Sequence, residues 1–354
     1  MSQLILAINP GNTSTKVGLF DLEKSIFVEN IKHSDEELAP FADINSQIDF
    51  RAEVIGRFLD TRQIRITDLQ AVAARGGLLK PLASGTYLVD AAMLADLVAA
   101  RRGSHASNIA AQIGNSIASR AGIPCYIVDP VSVDELAPIA RYTGHTLFER
   151  ISLTHALNMK AVAKRHCKEK GLTYGFETLI VIHLGTGVSL SIHTGGRMVD
   201  IVNPSEEGAF SLDRSGSLPV LQVARYIIEN RLSYPEFEKM VFGNGGVFSY
   251  LASKDFFKIE ESYFKGEPRT VEVVDAMAYQ IAKEAAGLAA VVDGKVNAIL
   301  ITGGMAHARF FREMIMKRIA FIAPMHVYPG EDEMVALAEG VSRVLLREET
   351  AKTY

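Results

Sequence analysis

Short apolar runs broken by small polar turns set the pattern of this chain. Leu4-Ile5-Leu6-Ala7-Ile8 has strand length, passes through Asn9-Pro10-Gly11-Asn12-Thr13-Ser14-Thr15-Lys16 and continues as Val17-Gly18-Leu19-Phe20, which predicts a β-hairpin with a polar tip. Leu179 to Leu184 runs into Gly185-Thr186-Gly187 and leaves through Val188 to His193 in the same way. The second half thus repeats the opening of the first. A third apolar run, Ala298 to Ile301, ends in Thr302-Gly303-Gly304 before a helical stretch from about Ala306 to Ile319, so a backbone can approach a ligand closely there.

Helical signals fill the intervals. Asp90 is placed to cap a helix over Ala91–Arg102 closed by Gly103, and Asn108 to Gly122 reads similarly, ahead of a strand Cys125–Val128 that ends at Asp129. Ser152 to Lys164 has helical character. Val273, Val274, Met277, Ala278 and Ile281 recur at helical spacing as far as Gly294, and Met334 to Leu346 forms a last helix. Two α/β halves that each open on a glycine-containing hairpin predict two facing domains with a ligand cleft between them, closing by a hinge.

Composition narrows the classes. The 354 residues are 48% hydrophobic and 22% charged, with a formal net charge of −4, enough chain for two cores and no basic block for a nucleic acid or an anionic membrane. No basic residue precedes the first apolar run, and no run approaches a membrane span, so a cytoplasmic protein is expected. Cys125 and Cys167 have no metal-ligand spacing and read as reduced thiols.

A turn rich in Gly, Ser, Thr and Asn between two strands offers backbone N–H groups and hydroxyls to an anion. Asn9 to Lys16 and Gly185 to Ser189 are two such turns at matched places in the halves, and the pair points to a nucleotide. The chain has no G-x-x-x-x-G-K-[ST] loop, and its glycines do not open a helix as in a dinucleotide fold.

The runs Asn9 to Lys16, Arg75-Gly76-Gly77-Leu78-Leu79, His105-Ala106-Ser107-Asn108, Val128-Asp129-Pro130, His155-Ala156-Leu157-Asn158, His183 to Gly187, Asp213-Arg214-Ser215-Gly216 and Pro329-Gly330-Glu331-Asp332-Glu333 occur in that order. On these motifs the chain resembles the acetate and butyrate kinase family, nearest its butyrate-type members, within the sugar kinase, heat-shock ATPase and actin superfamily. The resemblance implies two actin-like (ribonuclease H-like) α/β domains with an interdomain cleft, residues 1–128 with about 334–354 and residues 129–333. It also implies transfer of the γ-phosphoryl group of ATP to a short-chain carboxylate, with Mg²⁺ and a homodimer or higher homo-oligomer.

Residue by residue, the resemblance assigns Asn9, Asn12, Ser14 and Lys16 to one phosphate hairpin and His183, Gly185, Thr186 and Gly187 to the other, with Gly303 and Gly304 beside adenosine. Arg214, His155 and Arg75 become the catalytic groups, and Asp129, Glu331 and Glu333 the metal-linked carboxylates. Where the acetate enzymes carry an arginine three residues before Arg75, this chain has Val72. Alignment on the histidine motifs puts Ala74, Ser104 and Thr154 where acetate enzymes have larger pocket residues, with His105 lining the cleft. All three are small, which favours butyrate or a branched acid such as isobutyrate over acetate or propionate. An actin- or chaperone-like ATPase is the alternative, and it would need no acyl-acid site.

Overall fold

The computed structural model describes residues 3–103 and 106–354, and the chain divides into two compact units, Met1–Asp134 with Asp332–Tyr354, and Glu135–Glu331. The first unit contains β1 (Leu4–Pro10), β2 (Ser14–Asp21), β3 (Lys24–Lys32), α1 (Asp35–Leu38), α2 (Ile48–Thr61), β4 (Leu69–Arg75), β5 (Thr86–Leu88), α3 (Ala91–Ala99), α4 (Ala110–Ala121) and β6 (Cys125–Val128). The second runs through α5 (Ala156–Lys170), β7 (Leu179–Leu184), β8 (Val188–Thr194), β9 (Arg197–Val202), α6 (Val220–Asn230), α7 (Tyr234–Val241), α8 (Gly246–Leu251), α9 (Phe256–Phe264), α10 (Pro268–Ala290), β10 (Ala298–Gly303), α11 (Arg309–Ile319) and β11 (Met325–Pro329). The chain then returns to the first unit as α12 (Glu333–Leu345).

The repeat read from the sequence is a repeat of topology. The first sheet has the order β3-β2-β1-β4-β6-β5 and the second β11-β10-β7-β8-β9. In each, an antiparallel meander (β1 to β3, β7 to β9) is continued by parallel strands, β1 to β4 to β6 and β7 to β10 to β11. Strands buried on both faces need continuous apolar runs, which is why Ile5 to Ile8 and Leu179 to Ile182 are wholly buried.

In the first unit, side-chain alternation sends Val72 and Ala74 toward α4 at Gly114. Arg75 lies on the opposite face, with α12. Two helix bounds differ from the expectation. α3 stops at Ala99 because Ala100 turns left-handed (φ 45°), with Gly103 closing the following turn through its N–H to Ala100 O. α5 begins only at Ala156, with His155 at its N-cap position, and runs on to Lys170.

In the second unit, Ile180, Ile182, Leu190, Ile299 and Ile301 pack with Val274, Met277, Ile281 and Phe311 from α10 and α11. Leu179, Val181 and Leu300 meet Met159 and Ala163 of α5 on the other face. That second layer also holds a buried polar network. Lys160 Nζ donates to Glu135 Oε2 (2.6 Å) and Gly196 O (3.0 Å), and His193 lies between Ser191 Oγ (2.7 Å) and Tyr174 OH (2.8 Å).

Burial, reinforced by Lys160, holds His193 well below the usual histidine range, so the folded chain keeps it neutral. An unfolded histidine takes up a proton near pH ~6.5. Below that pH the unfolded state binds more protons than the folded one, so this contribution to stability is intact above about 6.5 and is lost as the pH falls. Denaturant unfolding at pH 7.5, 6.5 and 5.5 should show stability falling by up to about 1.4 kcal/mol per pH unit from this group alone. His193→Gln should flatten the slope; an identical slope would show that other groups carry it.

Candidate active site

Each unit gathers expected residues at the carboxyl ends of its parallel strands, where α/β sheets place ligands. In the first unit, Asn9 closes β1 and Arg75 closes the neighbouring β4, and both meet Glu333 at the start of α12. Asn9 Nδ2 donates to Glu333 Oε2 (2.6 Å), and Arg75 forms an ion pair with Glu333 Oε1. Lys16 is the cross-strand partner of Asn9, so it shares that face of the sheet. Arg75 pairs in register with Val128, and Asp129 follows directly. The Asp129 carboxylate accepts from Ser84 Oγ (2.6 Å) and Gly85 N (2.7 Å).

The polar tip of the first hairpin is held from beneath by Arg51, a residue that motif reasoning did not find. It is wholly buried, and its guanidinium donates to the carbonyls of Gly11 (2.9 Å), Asn12 (2.8 Å) and Ser14 (2.9 Å), to Thr15 Oγ1 (3.0 Å) and to Gln47 Oε1 (3.0 Å). The signal was an arginine on the apolar stripe of α2, in step with Ile55 and Leu59. Thr15 Oγ1 also meets His33 Nε2 at 2.9 Å. With its carbonyls tied down, the tip keeps a fixed backbone course, which a phosphate-binding turn requires.

In the second unit the groups converge on the turn between β7 and β8. His155 and His183 stack with ring centroids 4.0 Å apart. Ser189 Oγ lies 2.7 Å from His155 Nδ1, and Asn158 Oδ1 lies 2.8 Å from His183 Nδ1. Both partners lie in runs singled out in the sequence, Asn158 at the end of His155 to Asn158 and Ser189 at the end of Gly185 to Ser189, but which ring each one meets is set by tertiary contact. His183 Nε2 is 3.1 Å from Glu331 Oε1 but off the line of a hydrogen bond. A Cβ at Gly185 would come within 2.8 Å of that nitrogen, so only glycine leaves the ring its place.

Arg214 reaches the same turn. A Cβ at Gly187 would fall 2.6 Å from its Cζ, and Leu212 N donates to Thr186 O (3.2 Å). The guanidinium stacks on Phe242 (4.3 Å to the ring centre), and its Nε lies 3.9 Å from Asp213 Oδ1. Burial lowers the pKa of Arg214 from that of free arginine, and Asp213 acts the other way. The buried Nε has no hydrogen-bond acceptor in the structure. Gly303 (φ 94°) exchanges backbone hydrogen bonds with Gly330 (3.1 and 3.0 Å), and Gly304 begins a short 3₁₀ turn after it.

The acyl-pocket positions are distributed differently. Ala74 is wholly buried in β4 with its Cβ turned to Gly114 of α4. Thr154 is buried just ahead of His155, its hydroxyl without a hydrogen-bond partner. Ser104 and His105 lie outside the described residues.

The acetokinase family model matches residues 152–345. The chain belongs to this family. Among acetokinase relatives it is 45% identical over 353 residues to a probable butyrate kinase of Enterococcus faecalis, covering 99% of this chain and 98% of the relative. Butyrate kinase 2 of Clostridium acetobutylicum is 44% identical over 351 residues, covering 99% of each. Solved structures agree in fold. The acetate kinase of Porphyromonas gingivalis superimposes with a TM-score of 0.80 at 18% identity, over 97% of this chain and all of that one. A propionate kinase of Francisella tularensis gives 0.76 at 18% identity, over 96% and 98%. The expected pair of actin-like α/β domains is thus the fold of this acetokinase-family chain.

Proposed function

We propose that this chain transfers the γ-phosphoryl group of ATP to the carboxylate of a short-chain fatty acid, with butyrate first among acceptors. The observation that carries the reading is whole-length identity of 45% and 44% to proteins named butyrate kinases. A carboxylate oxygen attacks the γ-phosphorus, the bond to the β,γ-bridging oxygen breaks, and ADP leaves with the electron pair, giving an acyl phosphate. The acid is already ionised near pH 7, as a group with a pKa of about 4 to 5 must be, so no general base is required.

The chemical difficulty is the approach of two anions, and cationic and donor groups offset it. Arg214 presents a planar fork to the equatorial phosphoryl oxygens, and His155, fixed by Ser189, adds a donor to the same group. In the first unit, Lys16 and the hairpin tip hold phosphate oxygens, and Arg75 faces the carboxylate while sharing its charge with Glu333. His183 and Gly185 to Gly187 hold the nucleotide phosphates in the second unit.

Acetokinase-family kinases use a divalent metal, which we assign as Mg²⁺. The donors Asp129, Glu331 and Glu333 are hard carboxylate oxygens, the kind Mg²⁺ takes. Among the described residues no three His, Cys, Asp or Glu side chains cluster, so this reading leaves most of the ion's positions to water and phosphate oxygens. When bound, Mg²⁺ would neutralise charge on the β- and γ-phosphates.

The test is ATP with a panel of two- to five-carbon acids, trapping the acyl phosphate as its hydroxamate. Butyrate or isobutyrate should exceed acetate in kcat/KM by about ten-fold, since each buried CH₂ contributes roughly 0.8 kcal/mol. ATP hydrolysis with no hydroxamate from any acid would replace this reading by an ATPase.

A further inference from the structure

Phe242 lies outside every motif of the candidate site, in the link between α7 and α8. It ends α7 in an extended conformation (φ −124°, ψ 104°) and forms an antiparallel bridge with Arg214. Backbone hydrogen bonds lace the two segments together on both sides of that bridge. Ser215 N donates to Val241 O (2.9 Å), and Gly243 N and Gly245 N donate to Asp213 O (2.7 and 3.2 Å). Val247 N and Phe248 N continue the contact to Ser211 O and Leu212 O (2.9 Å each). Glycines permit this approach. A Cβ at Gly245 would fall 2.6 Å from Val241 O, and one at Gly246 (φ 56°) 2.1 Å from Ser211 O. The main chain of Phe242 is thus fixed to that of Arg214, although its side chain is not drawn into the core: the residue is 43% exposed.

We infer that Phe242 is a positioning residue for Arg214, its ring face holding the guanidinium in place while the in-plane N–H donors stay available to the transferring phosphoryl group. The guanidinium carbon lies 4.3 Å from the ring centre. The neighbouring carboxylate does not do the same work. Asp213 Oδ1 is 3.9 Å from Arg214 Nε and its Oδ2 is 3.8 Å from Lys254 Nζ, both beyond hydrogen-bond length. Neither Arg214 Nε nor Asp213 Oδ1 has a hydrogen-bond partner. A carboxylate in full contact would occupy two of the donors and offset the charge that the reaction needs. An aromatic face attracts the cation through its quadrupole and takes no in-plane donor. The inference rests on the phosphoryl-transfer role proposed for Arg214.

The experiment is steady-state kinetics with butyrate, ATP and hydroxylamine on Phe242→Leu, Phe242→Tyr, Arg214→Ala and the double variant Phe242→Leu/Arg214→Ala, at a temperature where urea unfolding shows each to be folded. Phe242→Leu keeps apolar bulk but removes the ring face. It should lower kcat about ten-fold, the scale of a small displacement of a positioned group, with the KM for ATP changed by less than about two-fold. Phe242→Tyr keeps the face and should retain about half of the parent's kcat or more. In the Arg214→Ala background the leucine should cost nothing further, since no guanidinium remains to be positioned. Full kcat in Phe242→Leu, an equal fall in Phe242→Tyr, or a second loss of about ten-fold in the double variant overturns the inference. Arg214→Ala that keeps most of the parent's kcat overturns the transfer role itself, so the two failures are told apart.

Discussion

Replacing Arg214 by alanine should lower kcat by about 10³-fold or more, the range found where one arginine stabilises a transferring phosphoryl group, while the KM for ATP changes little. The guanidinium sits against the β7–β8 turn, partly buried, stacked on Phe242, with a buried Nε that has no acceptor. Such a group gains most when negative charge develops beside it, which is a transition-state and not a ground-state contribution. Arg214→Lys should recover little, because an ammonium lacks the planar fork. Gly187→Ala supplies a check from the other side of the contact. Its Cβ would fall 2.6 Å from Arg214 Cζ, so it should displace the arginine and lower kcat by about 10²-fold. Steady-state kinetics with butyrate, ATP and hydroxylamine measure both. An Arg214→Ala variant that kept most of its kcat would remove Arg214 from the transfer, and the clamp would have to rest on His155 and Arg75.

What the sequence made legible follows from the range of the forces involved. The duplicated hairpins could be read because a strand buried on both faces must be an unbroken apolar run and its turn must be polar, both local requirements. The match of Asn9, Arg75 and Glu333 to family motifs put them in one site, and the structure brings the three side chains together. Contacts that exist only after folding were out of reach. Ser189 and Asn158 stand in runs the sequence singled out, but that they hold His155 and His183 emerges only once β8 and α5 meet. Alignment gave Ala74 a pocket position but could not say which face of its strand it takes. The strand's alternation turns it into α4. Gly103 looked like the end of α3, but Ala100 ends it three residues earlier.

Arg51 is the largest such omission, and the second large effect is expected there. Arg51→Met should lower unfolding stability by about 3 to 5 kcal/mol, because three part-buried carbonyls of the hairpin tip and the buried oxygens of Thr15 and Gln47 lose a charged donor at once. Burial already lowers the pKa of this guanidinium, so its desolvation is balanced by the oxygens it serves: Gly11, Asn12 and Ser14 O, Thr15 Oγ1 and Gln47 Oε1. Three of those are carbonyls of the hairpin tip, so the loss should reach beyond stability. With the tip released, the backbone N–H groups proposed to hold phosphate oxygens no longer share one orientation, and the KM for ATP should rise about ten-fold, measured at temperatures where the variant remains folded. Arg51→Lys separates the two effects. It retains charge and bulk in the cavity but cannot serve the three carbonyls with one rigid fork, so it should recover part of the stability and little of the ATP affinity. Urea unfolding and ATP titration of both variants give the answer. If Arg51→Met unfolds more easily yet binds ATP as the parent does, Arg51 is a structural residue of α2, and the β1–β2 tip does not hold the nucleotide.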